Sequence, residues 1–565
     1  MKQVLIINIT RMGDLVQTVP LIRRLQHEWP GVAIDLVVDT RFAPVAVLLP
    51  GLRTVIAYDF QRLIDESRSM AKDVVALYQD LASWAKPLVD VRYDRVVNLT
   101  FNRRSGLLAG YVNAPDIRGV ANAPDGTTIV RNPWMGYFTD LHHHRRFNCF
   151  NLVDLYALGG SGPGPFSPLT VSVPTDAAEW ARALLARVTP LVWIAVQVGA
   201  SEPIKAWRPE YFGQTMAAIS RQIEAGFVLI GTSKEKEAVQ QACAVYRAAG
   251  GTGPLCDQVN RTNLSQLVGL LDHCQLLLTN DTGPMHLAVG VGTPVIDLSV
   301  GHVDFRETGP YGPGHWVVQP DLACAPCGFD QVCLHHACKD RLVAEQVAAL
   351  CLHVLRAGPF PTHMTGVRLY ESSIDADGLA CYQLRAGQTD AIAEWYGSFW
   401  RTFWYEAMTG QSSLLAGPEG PSPDRADVSR LAEPLRPLLS RLTAQSNQLV
   451  RLSRQQPCPV AELQAAQARL REERQRAIAL AVQSPAFGPL AVAFLRDSHN
   501  GDAQGLANLA QQQATAFHAW RNRTNEVLRR LGTFGTTSKH ESRRVGILGA
   551  SPAVVSSHRD LTVNS

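Results

Sequence analysis

The 565-residue sequence lacks any apolar stretch approaching the roughly 20 residues that span a bilayer, which argues against a transmembrane helix. Its first residues, MKQVLIINIT, lack the long apolar core and small-residue cleavage site of a signal peptide, so a cytoplasmic protein is expected. A strong excess of one charge is also missing. The net charge of +3 gives no argument for a nucleic-acid partner, which normally requires a basic patch. Lysine nearly disappears after Lys339, where only Lys539 follows, and arginine carries the positive charge of the second half. No fixed-period repeat occurs. The first β-α turn, NITRMGD, lacks Gly-x-Gly-x-x-Gly, which disfavours a dinucleotide-dependent dehydrogenase.

What is present describes a folded multidomain protein. Hydrophobic residues make up 46% and charged residues 18%, and the length exceeds that of one hydrophobic core. VLIINI reads as a buried parallel strand, and the helical spacing of TRMGDLVQTVPLIRRLQHEWPG leads to a second strand, VAIDLVVD. DRVVNLT and DIRGV continue the alternation until SGPGPFSP, Ser161 to Pro168, marks a linker. The strands LVWIAVQ, FVLIG, QLLLTN and TPVIDL then alternate with helical segments. Two α/β domains with parallel sheets are expected, over residues 1–165 and 170–357. A mixed connecting segment at 358–410 precedes a Leu-, Ala-, Gln- and Arg-rich helical extension at 411–535, and the polar tail 536–565 reads as disordered. In EWYGSFWRTFWYEAM the aromatics form a helical stripe, more in keeping with a docking face than a membrane anchor.

Four loops at strand ends can carry chemistry. In NDTGPMHLAVGVGTPVIDL, the turn after QLLL offers backbone N–H groups at Thr282 and Gly283 to a phosphate, and His286 returns to the same helix face. Equally, Asp281 reads as an N-cap and His286 as a packed core residue. Asp14, in the first turn after VLIINI, is either a structural first-turn acid or a catalytic one. VGASEPIKAWRPE places Ser201 and Lys205 where they can contact a diphosphate. In GTSKEKE, Glu235 accepts ribose hydroxyls or decorates a solvated helix.

These loops, in this order, together with MGDLVQTVPLIRRL and GPYGPGHW, resemble glycosyltransferase family 9, the heptosyltransferases of bacterial surface-glycan assembly, over about residues 1 to 350. The resemblance implies a GT-B fold, with an N-terminal Rossmann-like acceptor domain and a C-terminal Rossmann-like donor domain facing a cleft. It implies inverting transfer from ADP-heptose with Asp14 as general base and no catalytic cofactor. Ser201, Lys205, Glu235, Asp281, Thr282, Gly283 and His286 match donor positions, and Thr262 one near the base. The acceptor is expected to be a lipid-linked glycan, such as lipopolysaccharide core, or a protein. Such a protein is expected at the inner face of the inner membrane, with peripheral association.

The chain departs from the family around Ala200, Ser201, Glu202 and Pro203. A nucleotide-sugar epimerase, or a non-catalytic assembly protein working through its helical extension, are the alternative functions. Arg103, Arg104, His144 and Arg145 are candidate contacts for an anionic acceptor or parts of a solvated basic face. Cys324, Cys327, Cys333 and Cys338, within CAPCGFDQVCLHHAC, are candidate ligands for a structural zinc or iron, and otherwise thiols.

Overall fold

The computed structural model describes residues 1–62, 74–123, 125–141, 145–186, 192–329, 332–501 and 505–532. The tail expected at 536–565 lies outside them. Short β-branched runs buried on both faces build two sheets, as parallel strands covered by helices require. The first contains β1 Gln3–Ile7, β2 Ala33–Asp39, β3 Thr54–Tyr58, β4 Arg95–Asn98, β5 Asp116–Asn122 and β6 Thr128–Arg131, in the order β3-β2-β1-β4-β5-β6. All pairs are parallel except β5 with β6.

The second sheet contains β7 Val192–Gln197, β8 Ala225–Ile230, β9 Leu255–Asp257, β10 Leu276–Asn280, β11 Val295–Leu298, β12 Trp316–Pro320, β13 Val367–Ile374 and β14 Ala380–Ala386. Its order is β14-β13-β12-β11-β10-β7-β8-β9, with β13 and β14 antiparallel to their neighbours. The segment read as a connection therefore supplies two strands to this sheet. The two sheets are the two α/β units expected from the sequence.

The long helix expected after β1 is two helices, Met12–Val16 and Val19–Glu28. Pro20 explains the restart, because its ring suits the first turn of a helix and not the interior.

After β14, helix Ala391–Thr409 carries the aromatic stripe, followed by helices Arg425–Ser453, Val460–Val482, Gly488–His499 and Leu506–Arg530. Tyr396, Phe399, Trp400, Phe403 and Trp404 are buried in one apolar cluster with these helices and with Trp134, Tyr137 and Phe150 of the N-terminal region. The stripe is a docking face. Asn500 fastens the extension to edge strand β6: its side-chain amide accepts from Val130 N and donates to Val130 O, both at 2.6 Å. That bond pair closes a stretch of exposed sheet edge. Among the described residues no helix is long and apolar enough to cross a membrane.

Candidate functional site

In an open parallel sheet a crevice opens at the carboxyl end of the strand where the connections diverge. In the first sheet that strand is β1, flanked by β2 and β4; in the second, the point lies between β7 and β10. The loops after these strands carry Asp14, Lys205 and Asp281, and the charges of Lys205 and Asp281 both act on the Asp14 carboxyl.

Asp14 is packed round by protein but keeps part of its surface open. Its backbone carbonyl accepts from Asn8 Nδ2 at 3.0 Å and Thr18 Oγ1 at 2.9 Å, which fixes the turn. Its Oδ2 accepts from Thr10 Oγ1 at 3.3 Å. Burial pushes the carboxyl up to about 6; Arg11, Thr10 and Lys205 oppose that rise and Asp281 adds to it. Such a group is a carboxylate at neutral pH yet basic enough to take a proton.

Lys205 ends the short turn Pro203–Lys205, and its Nζ lies 3.3 Å from Asp281 Oδ2. Both side chains are largely buried, at 15% and 10% exposure, so the pair is shielded from bulk water. Asp281 Oδ2 also accepts from Thr308 Oγ1 at 3.1 Å. Asp281 is thus not the N-cap. Thr282 holds that place, ahead of helix Gly283–Gly290, with Pro284 in the first turn. Helix geometry leaves the first N–H groups without intrahelical acceptors, a setting that suits an anion.

His286 is buried, its Nδ1 has no partner among the described residues, and burial lowers it to about 4. It is a neutral imidazole at pH 7. The two walls touch here: a side chain on Gly283 would meet Met12 Cε at 2.2 Å.

Glu235 is turned inward upon its own loop. Its Oε2 accepts from Thr232 N at 2.5 Å and Thr232 Oγ1 at 2.6 Å, completing a capping box. Its stem lies over Gly199, where an added Cβ would meet Glu235 Cγ at 2.0 Å. Ser201 is exposed and Thr262 half-buried; neither makes a side-chain hydrogen bond with Lys205 or Asp281.

Arg104 donates to Phe60 O at 3.2 Å and, with Arg41, Asn102 and Thr10, lines a cavity of about 90 Å³ beside the Asp14 loop. Arg103 is exposed next to it. His144 lies outside the described residues.

Arg145 differs from the expected acceptor contact. Its guanidinium pairs with Glu307 at 2.8 and 3.0 Å, donates to His302 O at 2.8 Å and Cys327 O at 3.2 Å, and lies over Phe329. It clasps the N-terminal region to the second sheet's loops, and these bonds use four of its five N–H donors.

Among the described residues no group of three or more His, Cys, Asp or Glu is placed to hold a metal ion, so the arrangement does not support the structural metal expected at the four cysteines. The four thiols are neighbours whose charges interact, but each is used differently. Cys327 N donates to Gly301 O at 3.0 Å, Cys338 is buried in the second sheet's core, Cys333 is half-buried and Cys324 is exposed. Burial and the neighbouring thiols push Cys327 up to about 11.

Two further residues belong to this crevice. Asn280 donates from Nδ2 to Val198 O and Gly199 O, both at 3.0 Å, and accepts from Trp207 N at 2.9 Å, binding the end of β10 to the Lys205 loop. Asp297 on β11 is fully buried and neither carboxylate oxygen has a partner among the described residues. Burial raises its pKa well above the usual carboxylate range; Asp281 adds to the rise and Lys205 opposes it. An acid inside the apolar run PVIDL was the visible signal for it.

Residues 81–337 match the family model described as glycosyltransferase family 9 (heptosyltransferase). Lipopolysaccharide heptosyltransferase 3 of Escherichia coli is 26% identical over 303 residues, covering 52% of this chain and 83% of that protein. Lipopolysaccharide heptosyltransferase 1 of Pseudomonas aeruginosa is 24% identical over 338 residues, 58% of this chain and 86% of that one. The solved structure of E. coli ADP-heptose lps heptosyltransferase II aligns over 63% of this chain and 99% of its own, at 18% identity and a TM-score of 0.47.

Proposed function

We propose that the chain, whose residues 81–337 match the glycosyltransferase family 9 model, is a glycosyltransferase of that family and transfers heptose from ADP-heptose to a surface-glycan acceptor, with inversion at the anomeric carbon. The observation that carries this reading is the Lys205–Asp281 pair at 3.3 Å, set where its charges reach Asp14 across the contact between the two sheets.

In the proposed step, Asp14 takes the proton of an acceptor hydroxyl. The oxygen attacks the anomeric carbon and the bond to the diphosphate breaks on the opposite face. Negative charge then grows on the leaving diphosphate, where Lys205 and the helix start at Gly283 meet it. Asp281, released from Lys205 by the incoming phosphate, is free to accept sugar hydroxyls.

Glu235 and Asn280 act by holding the loops, and Ser201 and Thr262 border the donor. The cavity that adjoins the Asp14 turn is lined by Arg104 and by Arg41, which is paired with Asp39, so it suits the hydroxyl groups of an acceptor sugar, with Arg104 as the cation that has no carboxylate partner among the described residues. Work on a lipid-linked acceptor places the enzyme at the cytoplasmic face of the inner membrane; a protein-borne glycan acceptor uses the same chemistry.

Turnover with a panel of ADP-, GDP- and UDP-sugars tests the donor, and ADP-heptose is expected to be preferred. Lys205→Ala is expected to weaken donor binding about tenfold or more, the loss of one charge-assisted contact. Preference for a GDP- or UDP-sugar, or conversion of the donor sugar with no acceptor present, would overturn the reading.

A further inference from the structure

The C-terminal extension contains a cavity of about 90 Å³ between helices Val460–Val482, Gly488–His499 and Leu506–Arg530. Its floor is Phe494 and Phe517, both buried, with ring centroids 4.7 Å apart. Its walls carry Arg471, Arg474, Gln467 and Gln513. That combination pairs an apolar base with polar groups that donate hydrogen bonds.

Arg474 Nε is buried and has no partner among the described residues. Native proteins rarely leave a buried N–H in that condition, and a bound group is one of the few explanations. The acids nearest in sequence are engaged elsewhere. Glu472 pairs with Arg476 at 2.7 Å, Glu473 with Arg441 at 3.4 Å, and Asp497 with Arg496 and Arg523 at 2.7 and 3.0 Å. No ion pair with a described residue joins Arg471 or Arg474 to any of them. Two guanidinium groups therefore face one cavity without a counter-charge among the described residues. Its volume exceeds several times the roughly 10–15 Å³ that one water needs, which leaves room for a tetrahedral anion.

We propose that this cavity binds a phosphate group, held by Arg471 and Arg474 with Gln467 and Gln513, on a molecule whose organic part lies along Phe494 and Phe517. Guanidinium forks match phosphate oxygens in two-point geometry, and the aromatic floor favours a sugar or glycerol face over a bare ion. The phosphate comes either from a soluble phosphomonoester or from a lipid headgroup. The site is separate from the donor crevice and its validity does not depend on the donor proposed above.

The full-length chain is titrated with inorganic phosphate by calorimetry, and its sedimentation with phosphatidic acid vesicles is compared with that of phosphatidylcholine vesicles. Each measurement is repeated on Gln513→Glu, which sets a carboxylate against the arginines and leaves the donor crevice intact. Arg471→Gln serves as a second variant should the first be unstable.

The expected result is binding by the parent chain that weakens about tenfold or more in both variants, the scale of a lost charge-assisted contact. Variant-sensitive binding of free phosphate assigns a soluble source; variant-sensitive binding of phosphatidic acid vesicles alone assigns a headgroup. Absence of binding to both probes, or binding equal in parent and variants, overturns the proposal.

Discussion

His286 Cδ2 lies 3.0 Å from the point where a Cβ on Gly13 would stand, so the helix starts of the two sheets meet closely enough that even a Cβ there would press on the imidazole. Gly13 matters here through its size. The same contact holds the Asp14 turn against the first turn of helix Gly283–Gly290, which ties the proposed general base to the proposed donor wall.

Replacing Gly13 with valine is expected to force the walls apart and lower kcat/KM about tenfold or more. Gly13→Val/His286→Ala should recover part of the loss that the two single changes would sum to, because the residues touch. Contacting residues couple by ~0.5–3 kcal/mol. Strict additivity of the two changes in nucleotide binding and turnover would contradict the contact.

Asp14 is expected to set the acid limb of the rate. With its carboxyl near 6, the base form dominates at neutral pH and is lost as pH falls through about 6. A kcat/KM profile should fall there with a slope of one proton. Asp14→Asn should remove the limb and lower kcat by ~10²–10⁴, the range of general base catalysis, while donor affinity changes little. A profile that stays flat through about pH 6 would rule out this role.

Asp297 should make the protein less stable as pH rises. Its folded pKa is raised, so the native state keeps a proton that the unfolded chain releases above the ordinary carboxylate value of 3.8. Stability from this group is full below that value and declines by about 1.4 kcal/mol per pH unit above it, until the folded pKa is reached. Asp297→Asn abolishes this titration. Melting temperatures of parent and variant should diverge as pH rises, with the variant the more stable at neutral pH; parallel curves would disprove the assignment.

Thiol alkylation distinguishes the four clustered cysteines. Exposed Cys324 should react first, half-buried Cys333 more slowly, and buried Cys327 and Cys338 only after unfolding, since burial keeps the last two thiols protonated. Protection of all four that a chelator lifts would overturn this order and show that they close on a metal.

Much of the scaffold was legible in the order of the residues. Runs such as VLIINI and FVLIG are apolar over strand length, because a strand buried between helical layers meets apolar neighbours on both faces. The turns that follow them carry Asp14, Lys205 and Asp281 in positions that chain order alone supplies. Asp281 and Glu235 were legible as residues and not as roles: one was open to reading as a cap, while the other proved to close a capping box.

Only the tertiary structure decided which distant groups share a charge or a contact. Arg145 reads as a free basic residue until the fold brings Glu307, His302 and Cys327 around it. The aromatic helix becomes a docking face because Trp134, Tyr137 and Phe150 lie against it, and Asn500 closes a sheet edge 370 residues away. Periodicity records which face of an element is apolar, since that depends on neighbours within a turn or a pleat. Ion pairing, burial of a lone carboxyl and the meeting of Gly13 with His286 depend on how separate elements pack, and no local pattern encodes them.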